Sequence, residues 1–255
     1  MSSQELTDDR LATGLQEVTA AFADVVAGTD PQAQVPTCPQ WRVRDLVGHI
    51  GQAHRWSAEL VRSRAAAPVP DPRAAEPGDP HDWPRWLREG VADVLDAVTT
   101  TGPDTAVWTF LGERPARFWL RRMLGDTVVH QADAAIAAGR PYRVAPDLAA
   151  DAISEGLTLI VAARAAELKP DLAQLRGDGQ TLQLRPDDQD AGWLITRTPD
   201  GVSWERRTAD ADVVVTGATQ DLLLLFARRV GADDAPLVIS GDRALLDHWS
   251  AHTAF

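Results

Sequence analysis

The chain has 255 residues, a formal net charge of −12, and ordinary globular shares of hydrophobic (44%) and charged (24%) residues, which excludes wholesale disorder. Its acidity argues against non-specific binding to nucleic acid or to an anionic membrane surface, and no apolar run approaches the roughly 20 residues of a membrane span. One cysteine, Cys38, excludes a disulfide framework and a multi-cysteine metal cluster, and MSSQELTDDR lacks the basic and apolar regions of a secretory signal, so a cytoplasmic protein is expected.

Leu11, Leu15, Val18, Phe22 and Val25 recur at helical spacing and predict a first helix that stops at Gly28. A second helix is expected after Pro39, with Val43, Leu46, Val47, Ile50 and Trp56 buried. The stretch APVPDPRAAEPGDP that follows cannot hold regular helix, and is expected to wrap the surface or cover a site entrance. A third helix is predicted from Trp83 to Val98. The fourth runs from Pro115 to Ala138, stopped by Gly139-Arg140-Pro141. Four amphipathic helices in succession predict an antiparallel bundle. A further helix is expected from Asp147 to Leu168, and then the period shifts. TLQLRP, GWLITR, VSWERR and DVVVTG read as short strands, ATQDLLLLFARRV as a helix, PLVISG as a strand and RALLDHWSAHTAF as a terminal helix. The fold class is therefore mixed, α + α/β: a helical domain over residues 1–143, then a small α+β domain over 144–255 with an expected antiparallel sheet.

His49 sits mid-helix on the side of Leu46, Ala53 and Trp56. His130 also sits mid-helix, with Asp126 four positions before it and Asp133 three after, all on one helix face. Asp126 and His130, joined by a ligand from the second helix, would give three protein donors and an open position, as in catalytic zinc sites. Asp133 suits the orientation of an imidazole. Set against this, a lone helical histidine is commonly a hydrogen-bonded core or surface residue. His54, five positions after His49, points away from it and reads as a surface or interhelical residue. His81 lies in the Pro-rich stretch, and His248 and His252 have no carboxylate cluster beside them. Cys38 lies just before a helix start, where the dipole lowers a thiol pKa. No histidine is positioned by sequence to pair with it, so it reads as a small buried residue. Trp56 and Trp119 are candidates to line a pocket.

CPQWRVRDLVGHIGQAHRW and FWLRRMLGDTVVHQADAAIAAG together resemble the N-terminal domain of the mycothiol-dependent maleylpyruvate isomerase family, within the DinB-like metalloprotein superfamily. DLAADAISEGL, DVVVTGATQDLLLLFARR and VISGDRALLDHW resemble its C-terminal domain, in order. The resemblance implies a DinB-like antiparallel four-helix bundle followed by a small α+β domain. It implies a divalent metal, usually zinc, on positions that fall here on His49, Asp126 and His130. The family pattern has His-Glu where this chain has Gly125-Asp126, so the carboxylate is shorter by one methylene and its neighbouring histidine is missing. Mycothiol is the implied thiol cosubstrate. Arg228 matches the family's C-terminal arginine, suited to substrate carboxylates across the domain interface. Arg229 competes by one position, and a solvated helix-end arginine remains the other reading of Arg228. The expected function is that of a metal- and mycothiol-dependent enzyme acting on an electrophilic small molecule, by cis–trans isomerisation or by thiol transfer. The alternatives are an enzyme of the same family that forms or cleaves carbon–sulfur bonds, and a non-catalytic metal- or ligand-binding module. Partners are then a small electrophile and a low-molecular-weight thiol, with no nucleic acid and no membrane; the oligomeric state is left open.

Overall fold

Thr7 accepts a hydrogen bond from the Arg10 backbone N–H (3.2 Å) and so starts the first helix, α1 (Asp8–Val26). The computed structural model describes residues 6–64, 75–162, 169–234 and 236–253. Leu6–Arg143 form one compact unit, and the described residues of Val144–Phe255 belong to another. Three more helices complete the first unit: α2 (Val43–Ser63), α3 (Trp83–Thr101) and α4 (Arg117–Ala137). Between α3 and α4 lies a two-stranded ribbon, β1 (Ala106–Val107) with β2 (Arg114–Pro115), too short to show a period in sequence.

The four helices do not simply alternate. Arg117 reaches Asp8 (3.5 Å) and the Arg140 guanidinium donates to the Asp24 carbonyl (2.9 Å), so α4 runs parallel to α1. Arg55 bonds the Trp86 carbonyl (2.8 Å), and Arg62 pairs with Asp96 (3.0 Å), so α3 runs parallel to α2. Contacts between His54 and Thr127 and between Trp56 and Trp119 make α2 and α4 antiparallel. The order is up, down, down, up, and the long Pro-rich connection is what lets the chain return before starting α3. Phe22, Leu46, Ile50, Trp83 and Leu87 are fully buried between the helices, each contributing on the order of 1.5–3 kcal/mol. Gly48 admits the return segment against α2: a Cβ there would lie 2.2 Å from the Ala75 carbonyl oxygen. Arg44 and Glu76 (2.7 Å) clamp the same contact. The rest of the Pro-rich stretch, up to residue 74, lies outside the described residues.

In the second unit, α5 (Pro146–Val161) precedes a five-stranded sheet of order β5-β4-β3-β6-β7, with β3 (Thr181–Pro186), β4 (Trp193–Thr198), β5 (Gly201–Arg206), β6 (Val213–Gly217) and β7 (Val238–Gly241). Helices α6 (Thr219–Phe226) and α7 (Arg243–His252) follow β6 and β7. The expected antiparallel sheet is in fact mixed: β3 and β6 pair in parallel, Leu182 opposite Val213. The β4–β5 hairpin extends from one side of β3, so the chain must cross back to the other side and restarts at the same end as β3. Buried Gln183 secures this crossing by donating to the Arg207 carbonyl (3.2 Å) and accepting from the Ala209 N–H (2.9 Å), which satisfies a core amide. On the other face Leu182, Leu184, Trp193, Ile195, Val213 and Val215 are buried, and the Trp193 indole N–H donates to Ser154 of α5 (2.9 Å). Helix α5 ends at Val161, short of the expected Leu168; residues 163–168 lie outside the described residues. No helix among the described residues is long and apolar enough to cross a membrane.

Candidate metal centre

Three segments build the site: α2, α4 and the loop before α2. That loop is closed by backbone bonds, Val35 N–H to Trp41 O (3.0 Å) and Trp41 N–H to Cys38 O (2.8 Å), with Val35 fully buried beneath it. Its path ends where the Asp45 carboxylate accepts from the Arg42 N–H (2.8 Å) at the start of α2. The loop thereby presents Thr37, Cys38 and Trp41 to α4.

His49 Nε2 lies 3.3 Å from Asp126 Oδ2, and the imidazoles of His49 and His130 meet edge to face with centroids 5.0 Å apart. Donor atoms of His49, Asp126 and His130 all lie within 4.8 Å of one another. The Trp41 indole packs on both rings, 4.9 Å from His49 and 5.5 Å from His130. His130 Nδ1 is 2.7 Å from Asp133 Oδ2. Asp133 is fully buried, and its other oxygen accepts from the Thr37 hydroxyl, with the Cys38 thiol 3.8 Å from Oδ2. A carboxylate accepts, so His130 turns its Nδ1–H to Asp133 and leaves Nε2 as the ring atom on the side of a cation.

Loss of water around Asp126 pushes its carboxyl up. The hydrogen bond from His49 and the charges of Arg122, His130 and His49 outweigh that, and hold it well below the usual carboxylate range. Arg122, one turn earlier, reaches Asp126 Oδ1 at 3.3 Å. The donor set suits a divalent cation: two imidazoles and one ionised carboxylate, with one imidazole oriented by a second carboxylate. His49 Nδ1 is buried without a hydrogen-bond partner, so His49 still has a ring nitrogen unused by the protein. Cys38, His130 and Asp133 form a second close group that shares His130.

Sequence reasoning assigned Cys38 no histidine partner, yet the fold brings its sulfur beside Asp133 and His130; this contact, made by a loop 95 residues away from Asp133, has no local sequence signal. Thr37, Trp41 and Arg122 were missed as well. Only Arg122 had one, a four-residue spacing to Asp126. His54 is interhelical and fully buried, which removes the surface reading. His81 is exposed in a single 3-10 turn. The rings of His248 and His252 lie 4.4 Å apart and tilted on α7, His248 against the Gln174 carbonyl. Trp56 and Trp119 join Trp108, Phe110 and Phe118 in an aromatic cluster. Arg228 is exposed at the end of α6 with a left-handed φ of 60°, which costs a non-glycine residue about 1 kcal/mol or more. Arg229 turns back to the Ala227 carbonyl (2.7 Å).

Residues 13–135 match the family model of the mycothiol maleylpyruvate isomerase N-terminal domain, and residues 147–248 that of the MDMPI C-terminal domain. The chain belongs to the mycothiol-dependent maleylpyruvate isomerase family. Among solved structures, it is similar to the crystal structure of the mycothiol-dependent maleylpyruvate isomerase, with a TM-score of 0.61 and 15% identity, covering 91% of this chain and 93% of that one. A histidine-to-alanine mutant of that enzyme matches over the same shares, with a TM-score of 0.58 and 14% identity. At such identity the likeness shows the family's fold. No curated protein matches the chain at a significant level.

Proposed function

We propose that this family member is a metal-dependent enzyme that uses mycothiol on an electrophilic small molecule, and that His49, Asp126 and His130 hold the metal, with zinc the ion best suited to this donor set. The observation that carries the reading is the convergence of these three donors around a histidine oriented by a buried aspartate. When bound, a divalent cation supplies the charge that brings a thiol, near pKa 8.5 when free, to its thiolate at neutral pH. The protein's part is to keep the donors ready. Asp133 fixes the His130 tautomer, Arg122 steadies one oxygen of Asp126, and Trp41 limits the swing of both imidazoles. Arg228 is the residue for a substrate carboxylate, held out from its helix end to offer a two-pronged hydrogen bond. On a cis-alkene made electron-poor by a carbonyl, thiolate addition forms one carbon–sulfur bond and leaves a single carbon–carbon bond free to rotate. Elimination then breaks that carbon–sulfur bond and returns the trans isomer and the thiolate.

A second reading, thiol transfer with the adduct as product, draws on Gly125. This residue offers no side chain beside Asp126 where the family pattern carries a histidine, so the site lacks that imidazole to take a proton back from the adduct and start an elimination. The test is metal analysis of purified protein together with a mycothiol-dependent assay on maleylpyruvate and an electrophile panel. About one divalent ion per chain is expected, with marked loss in His49→Ala and His130→Ala. Asp126→Glu should retain the ion and favour isomerisation. Full metal content with no thiol-dependent turnover on any electrophile would instead favour a binding module.

A further inference from the structure

Two arginines stack on tryptophans, one in each unit. Arg55 lies 4.4 Å from the Trp86 ring and is fully engaged: it donates to the Gly51 carbonyl (2.9 Å) and the Trp86 carbonyl (2.8 Å), with Glu89 at 3.9 Å. Arg206 lies closer to its ring, 3.9 Å from Trp193, and lacks such partners. Its Nη1 is buried with no hydrogen-bond partner, and among the described residues no carboxylate pairs with it. Glu205, adjacent in sequence, faces the other side of the sheet and is taken by Arg207 (3.0 Å).

The platform is built firmly. Trp193 and Arg206 are direct cross-strand neighbours on β4 and β5. Trp193 is fully buried, with its indole N–H held by Ser154 (2.9 Å). A half-buried cation without a counter-charge has given up water that nothing in the protein replaces, and so gains from an anion that reaches its open side. Burial alone lowers the Arg206 pKa, with no acid near enough to oppose it. The indole covers one face of the guanidinium and Nη1 is sealed from solvent, so the edge formed by Nε and Nη2 is what remains to a ligand.

We propose that Arg206, seated on Trp193, binds the oxyanion group of a small molecule, a carboxylate or a phosphate, through the edge of its guanidinium. The site stands apart from the metal reading and does not depend on it. The experiment is a titration of the whole chain with acetate and, separately, with inorganic phosphate, each against chloride at equal ionic strength, following the Trp193 indole N–H by two-dimensional NMR. A saturable shift is expected with at least one oxyanion: acetate alone marks a carboxylate ligand, phosphate alone a phosphoryl one. Arg206→Gln should weaken it by about tenfold or more, as the loss of a charge-assisted pair does, while Arg55→Gln and His49→Ala leave it in place. Should Arg206→Gln fail to fold, Arg206→Lys keeps the cation without the fork and should also bind more weakly. The proposal is overturned if neither oxyanion shifts Trp193 beyond chloride, or if the Arg206 variants bind as the parent does.

Discussion

Two histidines on the same α2–α4 seam meet opposite fates. His130 sits against Asp133 and near Asp126, with one ring nitrogen fixed and the other available. His54, little more than a turn of α2 beyond His49, is fully buried, and among the described residues its ring bonds only Thr127 (2.9 Å). Thr127 gives its own proton to the Met123 carbonyl (2.7 Å), so it must accept from His54 Nε2, and the buried Nδ1 is left without a donor. Burial pushes the His54 pKa from 6.5 down to about 4, against the opposing pull of Asp126. The same side chain thus becomes a poised donor where a carboxylate bonds it directly and a neutral packing element where a hydroxyl does.

The comparison breaks most sharply at the metal. His130→Ala or Asp126→Ala should take metal content from about one ion per chain to nearly none, whereas His54→Gln should leave it unchanged; equal loss in His54→Gln would erase the distinction. Acid comes next. The folded pKa of His54 lies below its unfolded value, so the unfolded chain takes up the proton first as pH falls. Its contribution is intact above about pH 6.5 and is lost progressively towards pH 4, by up to about 3 kcal/mol. Denaturant melts at pH 7, 5 and 4 should show a part of the acid slope that His54→Gln removes; identical slopes in the two proteins count against it. Asp133→Asn keeps the shape but lets the wrong tautomer of His130 form, and should weaken zinc by about 10- to 100-fold in a chelator competition. Thr37→Val, which removes one donor from Asp133, should cost less, on the order of a few-fold in the same competition, with recovery in Thr37→Ser. A Thr37→Val protein as weak as Asp133→Asn would mean the loop itself had shifted.

The α2–α4 half of this centre was legible because helical spacing alone stacks Asp126, His130 and Asp133 and turns His49 inward. The other half was not. Thr37, Cys38 and Trp41 arrive on a loop whose path depends on the buried Val35 and the cap at Asp45, and no periodicity reports a contact between Thr37 and Asp133. Helix direction was hidden for a related reason: the apolar stripes of α2 and α3 bury equally well parallel or antiparallel, and only the connection length hints at the choice. The parallel pairing of β3 with β6 escaped similarly, since short buried strands carry no mark of direction. Arg206 has no local signal either, since the pairing that sets it opposite Trp193 joins two strands and is not written in sequence spacing. Alternation sends Glu205 and Arg206 to opposite faces, and that assigns Glu205 to Arg207.

The down-down order of α2 and α3 has an electrostatic consequence. Each end of the bundle gathers two helix beginnings and two helix endings, so the partial charges of the peptide dipoles largely cancel there. Backbone polarity therefore lends the centre little net field, and its balance of charge rests on a few side chains, Asp126, Asp133 and Arg122 foremost. A single substitution among them resets the potential at which an incoming anion arrives.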